Sequence, residues 1–340
     1  MMLIPYHAAQ AFNVWGEPNY ITFTPDKSIS SLIVFLSPFY MPIMFVLAGM
    51  STKYALGKRS RGEFMKERVK RLLIPFIFGT LVFCPILSYF GDKYNYGYDG
   101  GFLEHYKVFF TRWTDLIGAD GGFNIGQFWF LLYLFVISLV SVGIIVLAEH
   151  FRKGTKEYSM PFWVLCLLGI PIPLLYQVLS VGGKSITEFL YLFLLGYFIF
   201  SNDKVIDTLV RFRFLTLALG VVAGVVDVYM FIWSGKDFGV ANTIAKAISE
   251  WFWILALIGI GQRRLEFGGK VSAYLSKRAF LFFSLHFVWT VLFQYWFSGI
   301  LETNVALLYI VPILCAYVAT FACTEMCYRI PVLRFLMGAK

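Results

Sequence analysis

Long apolar stretches alternate with short polar segments along this chain of 340 residues. A helix needs roughly 20 mostly apolar residues to cross the hydrocarbon core of a bilayer. Nine stretches of this kind lie at residues 29–57, 72–90, 126–147, 160–180, 185–201, 214–233, 244–261, 279–298 and 304–323. The pattern therefore predicts an all-α fold, a polytopic transmembrane helix bundle.

A tenth span is predicted to be partial. Residues 1–14 are apolar but too short to cross, and they carry neither a basic n-region nor a small-residue cleavage site. A signal peptide is therefore a poor explanation for them. We expect about ten spans. The first span must end near Trp15, and since the residues before Trp15 are too few to cross the membrane, we expect this span to be truncated at its start. A short re-entrant helix is the alternative.

The composition excludes a soluble fold. Hydrophobic residues make up 59% of the chain and charged residues 14%, whereas ordinary soluble domains carry about a quarter charged residues. A bilayer removes the need for a polar surface, because lipid solvates the outside of an apolar bundle. We expect one transmembrane domain over residues 1–340, in the bacterial inner membrane and in contact with its lipids.

The basic residues concentrate in alternate loops. One set of loops holds 21 Lys and Arg side chains, and the other set holds 6. The rich set comprises residues 58–71, 152–156, 204–213, 263–278 and 329–340. Since loops rich in Lys and Arg stay in the cytoplasm, the pattern predicts that both termini are cytoplasmic. It also accounts for the net charge of +9 without a nucleic-acid partner.

Two histidines fall inside predicted spans. His7 lies eight residues before Trp15, and His286 lies seven residues into the span 279–298. At a rise of about 1.5 Å per residue, His7 lies roughly 12 Å below the outer surface and His286 roughly 10 Å above the inner surface. Both histidines are therefore near the midplane of the membrane. An ionisable side chain at that depth is a candidate for function, and a neutral imidazole can take a hydroxyl proton. We predict a site here; packing histidines bonded to carbonyl groups are the alternative.

Other ionisable residues are weaker candidates for a functional site. His105 and His150 are expected to be solvated in loops, and Asp227 lies within an apolar span where it could face a cavity. Lys246 and Glu250 are four residues apart near one helix end, so a local pair explains them. The five cysteines lack zinc-type spacing, so neither a metal site nor a disulfide framework is predicted.

The first basic loop has the highest density of charge, with seven Lys and Arg side chains in residues 58–71. Arg68 and Arg71 are three residues apart and share a helix face. Because guanidinium groups bind phosphate bidentately, we predict that this cluster, which includes Arg61 and Lys70, binds a polyanionic ligand. An anchor on anionic lipid is the alternative.

The longest outer loop, residues 91–125, begins with Tyr94, Tyr96 and Tyr98 interleaved with amide and carboxylate side chains. Aromatic rings beside hydrogen-bonding groups are typical of surfaces that bind sugars. We therefore predict a glycan contact at these tyrosines. An interfacial aromatic belt would have a similar composition and is the alternative.

Taken in order, these motifs resemble the acyltransferase 3 family of membrane acyltransferases over almost the whole chain. The resemblance rests on His7 near the end of the first helix, RxxRLLIP from Arg68, FWFLLYLF after Gln127, Ser284 with His286, and the segment that begins at Glu325. Within the family, residues 4–15 and 37–51 are most similar to a member that succinylates periplasmic glucans.

The resemblance implies an acyl-coenzyme A donor, as co-substrate and not as a bound cofactor, on the cytoplasmic side and a glycan hydroxyl acceptor outside. His7 would be catalytic, either as the base or as a carrier of the acyl group. Arg68 and Arg71 would bind the coenzyme phosphates, and His286 would support the reaction. The family also has an arginine roughly three turns before this histidine, which would precede Met1 here.

Three functions remain open at this level. The preferred one is transfer of an acyl group, with succinyl favoured over acetyl, to a periplasmic glucan, with glucan-synthesis proteins as candidate partners. An O-acetyltransferase of another envelope glycan is the second. A flippase is the third, because transporters often contain broken helices and Pro171 and Pro173 interrupt one span.

Overall fold

The computed structural model describes residues 2–339 except 114–115, 117–118, 120–121, 152–157, 265–268 and 302–303. Residues 152–156 and Lys340, both counted in the basic loops, lie outside the described residues. Numbered along the chain, the helices are α1 (Leu3–Gln10), α2 (Lys27–Tyr40), α3 (Pro42–Leu56), α4 (Arg61–Arg68), α5 (Ile74–Val82), α6 (Cys84–Tyr96), α7 (Phe102–Thr111), α8 (Trp129–Phe151), α9 (Phe162–Leu167), α10 (Ile172–Leu175), α11 (Ile186–Phe198), α12 (Asp203–Val228), α13 (Val240–Arg264), α14 (Lys270–Leu301), α15 (Val305–Arg329) and α16 (Pro331–Leu336).

Seven helical segments in the described part of the chain are long and apolar enough to cross a membrane: Lys27–Leu56, Arg61–Tyr96, Gly126–Phe151, Asp203–Trp233, Val240–Gln262, Lys270–Leu301 and Val305–Arg329. The predicted spans 160–180 and 185–201 contain shorter apolar helices, Phe162–Leu175 and Ile186–Phe198. The helical polytopic membrane fold is thereby confirmed. The number of spans and the side on which the termini lie stay predictions.

Prolines interrupt the span 160–180 as predicted. Helix α9 ends at Leu167, and α10 begins at Ile172. A proline has no N–H for the helical ladder and its ring clashes with the preceding turn, so α9 ends before Pro171, and Pro173 lies in the first turn of α10. A short antiparallel hairpin follows, pairing Ser180–Val181 with Lys184–Ser185.

A π-helical turn, Val69–Leu73, joins α4 to α5. Pro75 has no N–H to donate to the Arg71 carbonyl, and the N–H of Ile74 instead reaches the Val69 carbonyl five residues back. Gly338 packs beside this turn with φ +71°, and a Cβ there would lie 3.0 Å from the Arg71 oxygen. Glycine therefore allows the C-terminal segment to approach the turn closely.

The described helices group into two compact units. Unit 1 comprises Met1–Ile33, Arg68–Tyr133 and Gly269–Lys340, and unit 2 comprises Val34–Glu67 and Leu134–Gly268. Each unit is therefore discontinuous in sequence. The single domain expected over residues 1–340 stays a prediction.

In unit 1, the short helix α1 packs against α14 and α15. The Gln294 side-chain amide donates to the Ala8 carbonyl at 3.0 Å, and the Tyr309 hydroxyl donates to the Pro5 carbonyl at 3.1 Å. A helix of eight residues is not stable alone. These bonds from α14 and α15 therefore hold α1, and with it His7, in place.

In unit 2, glycines allow α3 and α11 to cross at close range. A Cβ at Gly49 of α3 would lie 2.0 Å from a backbone oxygen of α11, and one at Gly196 of α11 would lie 2.1 Å from a backbone oxygen of α3. Small residues at such crossings are typical of membrane bundles. The crossing fixes Lys53, one turn after Gly49, relative to Tyr197, which follows Gly196.

Candidate active site

The structure brings together the two histidines that the sequence pattern places at neighbouring depths. His7 lies in the last turn of α1 and His286 near the middle of α14, and their ring centroids are 5.2 Å apart. His286 is fully buried, and His7 is half-buried. Both belong to unit 1. Their role in catalysis stays a prediction.

The two ring nitrogens of His286 differ in their surroundings. Nδ1 lies 2.6 Å from the Phe283 carbonyl oxygen, and because a carbonyl can only accept, Nδ1 carries the hydrogen. Nε2 is buried and has no hydrogen-bond partner within the described residues. In a neutral imidazole with this tautomer, Nε2 holds the lone pair. A buried polar atom without a partner is uncommon, so this nitrogen is a candidate for ligand contact.

Gln10 fixes the tautomer of His7. The His7 Nδ1 lies 3.2 Å from the Gln10 side-chain oxygen, which can only accept, so Nδ1 donates and Nε2 is the basic nitrogen. A partner that holds one ring nitrogen sets the chemistry of the other. Gln10 was not singled out from the sequence, although its i, i+3 spacing to His7 is a usable signal.

Aromatic rings surround the two imidazoles. The centroid of Phe287 lies 4.3 Å from that of His7, and the centroids of Phe282 and Phe283 lie 6.4 Å and 6.0 Å from that of His286. Apolar walls exclude water and raise the strength of electrostatic interactions between the polar groups inside them. The pair therefore lies in an environment suited to proton transfer.

Gln127 is a further polar residue that sequence reasoning left without a role. It precedes α8 and is 4% exposed, and its side-chain amide donates to the Ser284 carbonyl at 3.1 Å. The side-chain oxygen of Gln127 has no partner in the described part of the chain. The Ser284 hydroxyl, by contrast, donates to the Phe280 carbonyl at 3.0 Å. Gln127 thus connects the start of α8 to the helix that carries His286.

The residues predicted to bind the coenzyme are divided between the units. Arg68 and Arg71 are half-buried in unit 1, where Lys70 is exposed. Arg61 is the first residue of α4, is exposed, and lines a cavity in unit 2. Phosphate binding by these four side chains stays a prediction.

The three tyrosines predicted to contact a glycan occupy different environments. The Tyr94 hydroxyl donates to the Thr22 carbonyl at 2.9 Å, which ties α6 to the segment after α1. Tyr96 is 64% exposed. The Tyr98 ring packs edge-on against His105, with centroids 5.1 Å apart. Tyr96 is therefore the most accessible of the three, and the glycan contact stays a prediction.

The prediction that His105 is solvated in a loop is wrong. His105 lies on α7 and is fully buried, with Nε2 2.7 Å from the Asp92 carboxylate of α6. Arg112 donates to the same carboxylate at 2.5 Å. Partial burial and the Glu104 carboxylate raise the pKa of the nearby Tyr98 hydroxyl. The polar composition of residues 91–125 concealed this helix; His150, at the end of α8, is exposed as expected.

Among the described residues of unit 2, three acidic side chains are buried: Asp227, Glu188 and Glu250. Asp227 is 3% exposed and accepts a hydrogen bond from the Asn242 amide at 2.6 Å. Glu250, also 3% exposed, lies beside the Glu188 carboxyl group of α11. The local pair of Lys246 with Glu250 is thus incomplete as an explanation, because the packing of α11 brings a second carboxyl group, that of Glu188, beside Glu250, and Lys246 contributes attraction.

A family model for an acyltransferase domain of acyltransferase 3 type matches residues 1–329. The chain therefore belongs to the acyltransferase 3 family, as the motifs predict. With its apolar helices, it is a multi-pass membrane acyltransferase.

Similar curated proteins include glucans biosynthesis protein C from Salmonella paratyphi B, Salmonella heidelberg and Salmonella paratyphi A. Each is 21% identical to this chain, and each alignment covers 99% of this chain and 91% of the relative. No solved structure matches the chain significantly.

Proposed function

We propose that this membrane acyltransferase transfers a succinyl group from succinyl-coenzyme A in the cytoplasm to a hydroxyl group of a periplasmic glucan. The names of the similar proteins refer to glucan biosynthesis, and the similarity covers nearly the full length of both chains. The observation that carries the catalytic part is the contact between His7 and His286, where the buried Nε2 of His286 has no partner within the described residues.

In the proposed reaction, Nε2 of His7 takes the proton of the acceptor hydroxyl group, and the oxygen of that hydroxyl group attacks the thioester carbonyl carbon. The ester C–O bond forms, the C–S bond breaks, and the leaving thiolate receives the proton from His7. Gln10 keeps His7 in the tautomer that this step needs. His286 supports the step because the lone pair on its buried Nε2, beside His7, stabilises the positive charge that develops on the His7 ring.

The donor side of the proposal rests on charge. Arg68, Arg71, Arg61 and Lys70 would bind the phosphate groups of the coenzyme, since guanidinium and ammonium groups pair with phosphate. The exposed ring of Tyr96 would offer a surface to the glucan. The proposed acceptor places the protein in the inner membrane, where glucan-synthesis proteins would supply its substrate.

The test is a mass spectrum of periplasmic glucans from acceptor-competent cells that lack their own acyltransferase. The cells express the wild-type chain, His7→Ala or His150→Ala; His150 is the matched control because it is exposed. We expect a succinyl mass increment with the wild type and the control but not with His7→Ala.

Other results would change the proposal. An acetyl increment would replace the succinyl donor with an acetyl donor. Unmodified glucan from an intact, inserted wild-type protein would overturn the glucan acceptor. If the purified protein also released no free coenzyme A from acyl-coenzyme A, a flippase would become the better explanation.

A further inference from the structure

Unit 2 contains a cavity of about 410 Å³ at the place where α3, α8 and α11 end and α4 begins. Three cationic side chains line it, Lys53, Arg59 and Arg61. Its apolar lining includes Ile145 and Val146 of α8. Sites for small molecules commonly enclose about 300–1,000 Å³. The cavity is therefore large enough for an organic anion.

Lys53 is held by an aromatic ring. Its ammonium nitrogen lies 4.7 Å from the centroid of Tyr197, which is 2% exposed. The Tyr197 hydroxyl donates to the Glu149 carboxylate at 2.9 Å. A cation over a tyrosine ring is attracted without being neutralised. Glu149 also lines the cavity, but among the described residues Lys53 forms no ion pair with it or with another carboxylate. The Lys53 ammonium group is therefore available to a ligand.

The start of α4 supplies the other cations. Ser60 and Glu63 form a capping box, in which the Ser60 N–H donates to Glu63 at 2.9 Å and the Glu63 N–H donates to the Ser60 hydroxyl at 3.2 Å. Arg59 is paired with Glu67. Arg61 forms no ion pair with any described carboxylate. Arg61 lies at the positive end of α4, and together with Lys53 it gives the cavity two cations without an ion pair, which favours an anionic ligand.

We propose that this cavity binds a phosphorylated organic anion. This assignment rests on the proposed function: the cavity would hold the nucleotide end of acyl-coenzyme A. The phosphates would pair with Lys53 and Arg61, and the base would lie on the apolar lining. Lys53 and Tyr197 thereby join Arg61 as binding and positioning residues. A phospholipid headgroup carries the same phosphate chemistry, and the experiment separates the two sources.

The experiment uses the purified full-length chain in nanodiscs of phosphatidylcholine, titrated calorimetrically with adenosine 3′,5′-bisphosphate. We expect Lys53→Gln and Arg61→Gln each to raise the Kd about tenfold, because each removes a charge-assisted bond to phosphate. The control is Lys277→Gln, an exposed cation outside residues 58–71 that does not line the cavity. It should change the Kd less than about twofold.

Equal affinity in the wild type and Arg61→Gln overturns the proposal, and because Arg61 is exposed, this variant keeps the fold even where Lys53→Gln does not. Nanodiscs of phosphatidylglycerol separate the sources. If the wild type retains that lipid in native mass spectra, Arg61→Gln does not, and the lipid abolishes nucleotide binding, the coenzyme assignment is overturned.

Failure here is distinguishable from failure of the proposed function, since binding is measured without acyl transfer. Nucleotide binding that depends on Lys53 and Arg61 in a chain that never modifies glucan contradicts the proposed function alone. Glucan modification with an unchanged KM for acyl-coenzyme A in Lys53→Gln contradicts the assignment of this cavity alone, because only that assignment includes Lys53.

Discussion

His105 and His286 are the two fully buried histidines of unit 1, and each has one ring nitrogen without a hydrogen-bond partner in the described part of the chain. His105 bonds to the Asp92 carboxylate, which also accepts from Arg112. His286 bonds to a carbonyl of its own helix and lies beside a second imidazole, that of His7.

The comparison shows that burial alone does not identify a catalytic histidine. Around His105, a carboxylate shared with Arg112 connects α6 to α7, and charge pairing of this kind satisfies buried groups. Around His286, the polar neighbour is another group that can exchange a proton. We therefore assign a structural role to His105 and retain His7 and His286 as the catalytic candidates.

Replacement of His7 gives the largest expected effect. His7→Ala removes the proposed base, and general base catalysis commonly contributes about 10²–10⁴ in rate. We expect the succinyl content of glucan per molecule of protein to fall by at least about a hundredfold, with unchanged insertion and thermal stability. Normal transfer by a stable His7→Ala protein would remove His7 from the mechanism.

His286→Asn separates chemistry from structure. The asparagine amide can still donate to the Phe283 carbonyl, as Nδ1 does, but it has no basic nitrogen in place of Nε2. If Nε2 supports the reaction, kcat should fall about tenfold to a hundredfold. This loss is no larger than the smallest rate contributions that general acid–base catalysis commonly makes. Full activity of His286→Asn beside a destabilised His286→Ala would reduce His286 to a packing residue.

Asp92→Ala is expected to affect stability more than chemistry. It leaves His105 and Arg112 without their shared carboxylate, and an unsatisfied buried group costs about 1–3 kcal/mol. Thermal unfolding in detergent should show a lower Tm, while transfer per folded molecule stays at the wild-type level. A stable Asp92→Ala protein that has lost transfer would instead place the active site at His105.

The smallest effect is expected at the glycan surface. Tyr96→Ala removes an exposed ring, and one aromatic contact contributes about 0.5–1.5 kcal/mol, so the KM for glucan should rise a few-fold with unchanged kcat. The matched control is Tyr54→Ala, which removes another exposed ring. Equal effects of the two variants on KM would exclude Tyr96 from acceptor binding.

Some features of this protein are determined by the sequence alone. The length of an apolar stretch decides whether a helix can cross a membrane, so the polytopic helical fold follows from residue order. The order of short motifs also identifies the family, which is confirmed over residues 1–329. His7 and His286 stand out because ionisable groups are rare within apolar spans.

Other features were decided by the tertiary structure. Apolar patterning along one segment does not specify which face meets a distant segment, so the burial of His105 against Asp92 and the contact between Glu188 and Glu250 required the packed helices. The cavity at Lys53 likewise depends on a crossing of α3 and α11 that only Gly49 and Gly196 permit. Contacts between remote residues arise from complementary packing of whole helices, which no local pattern encodes.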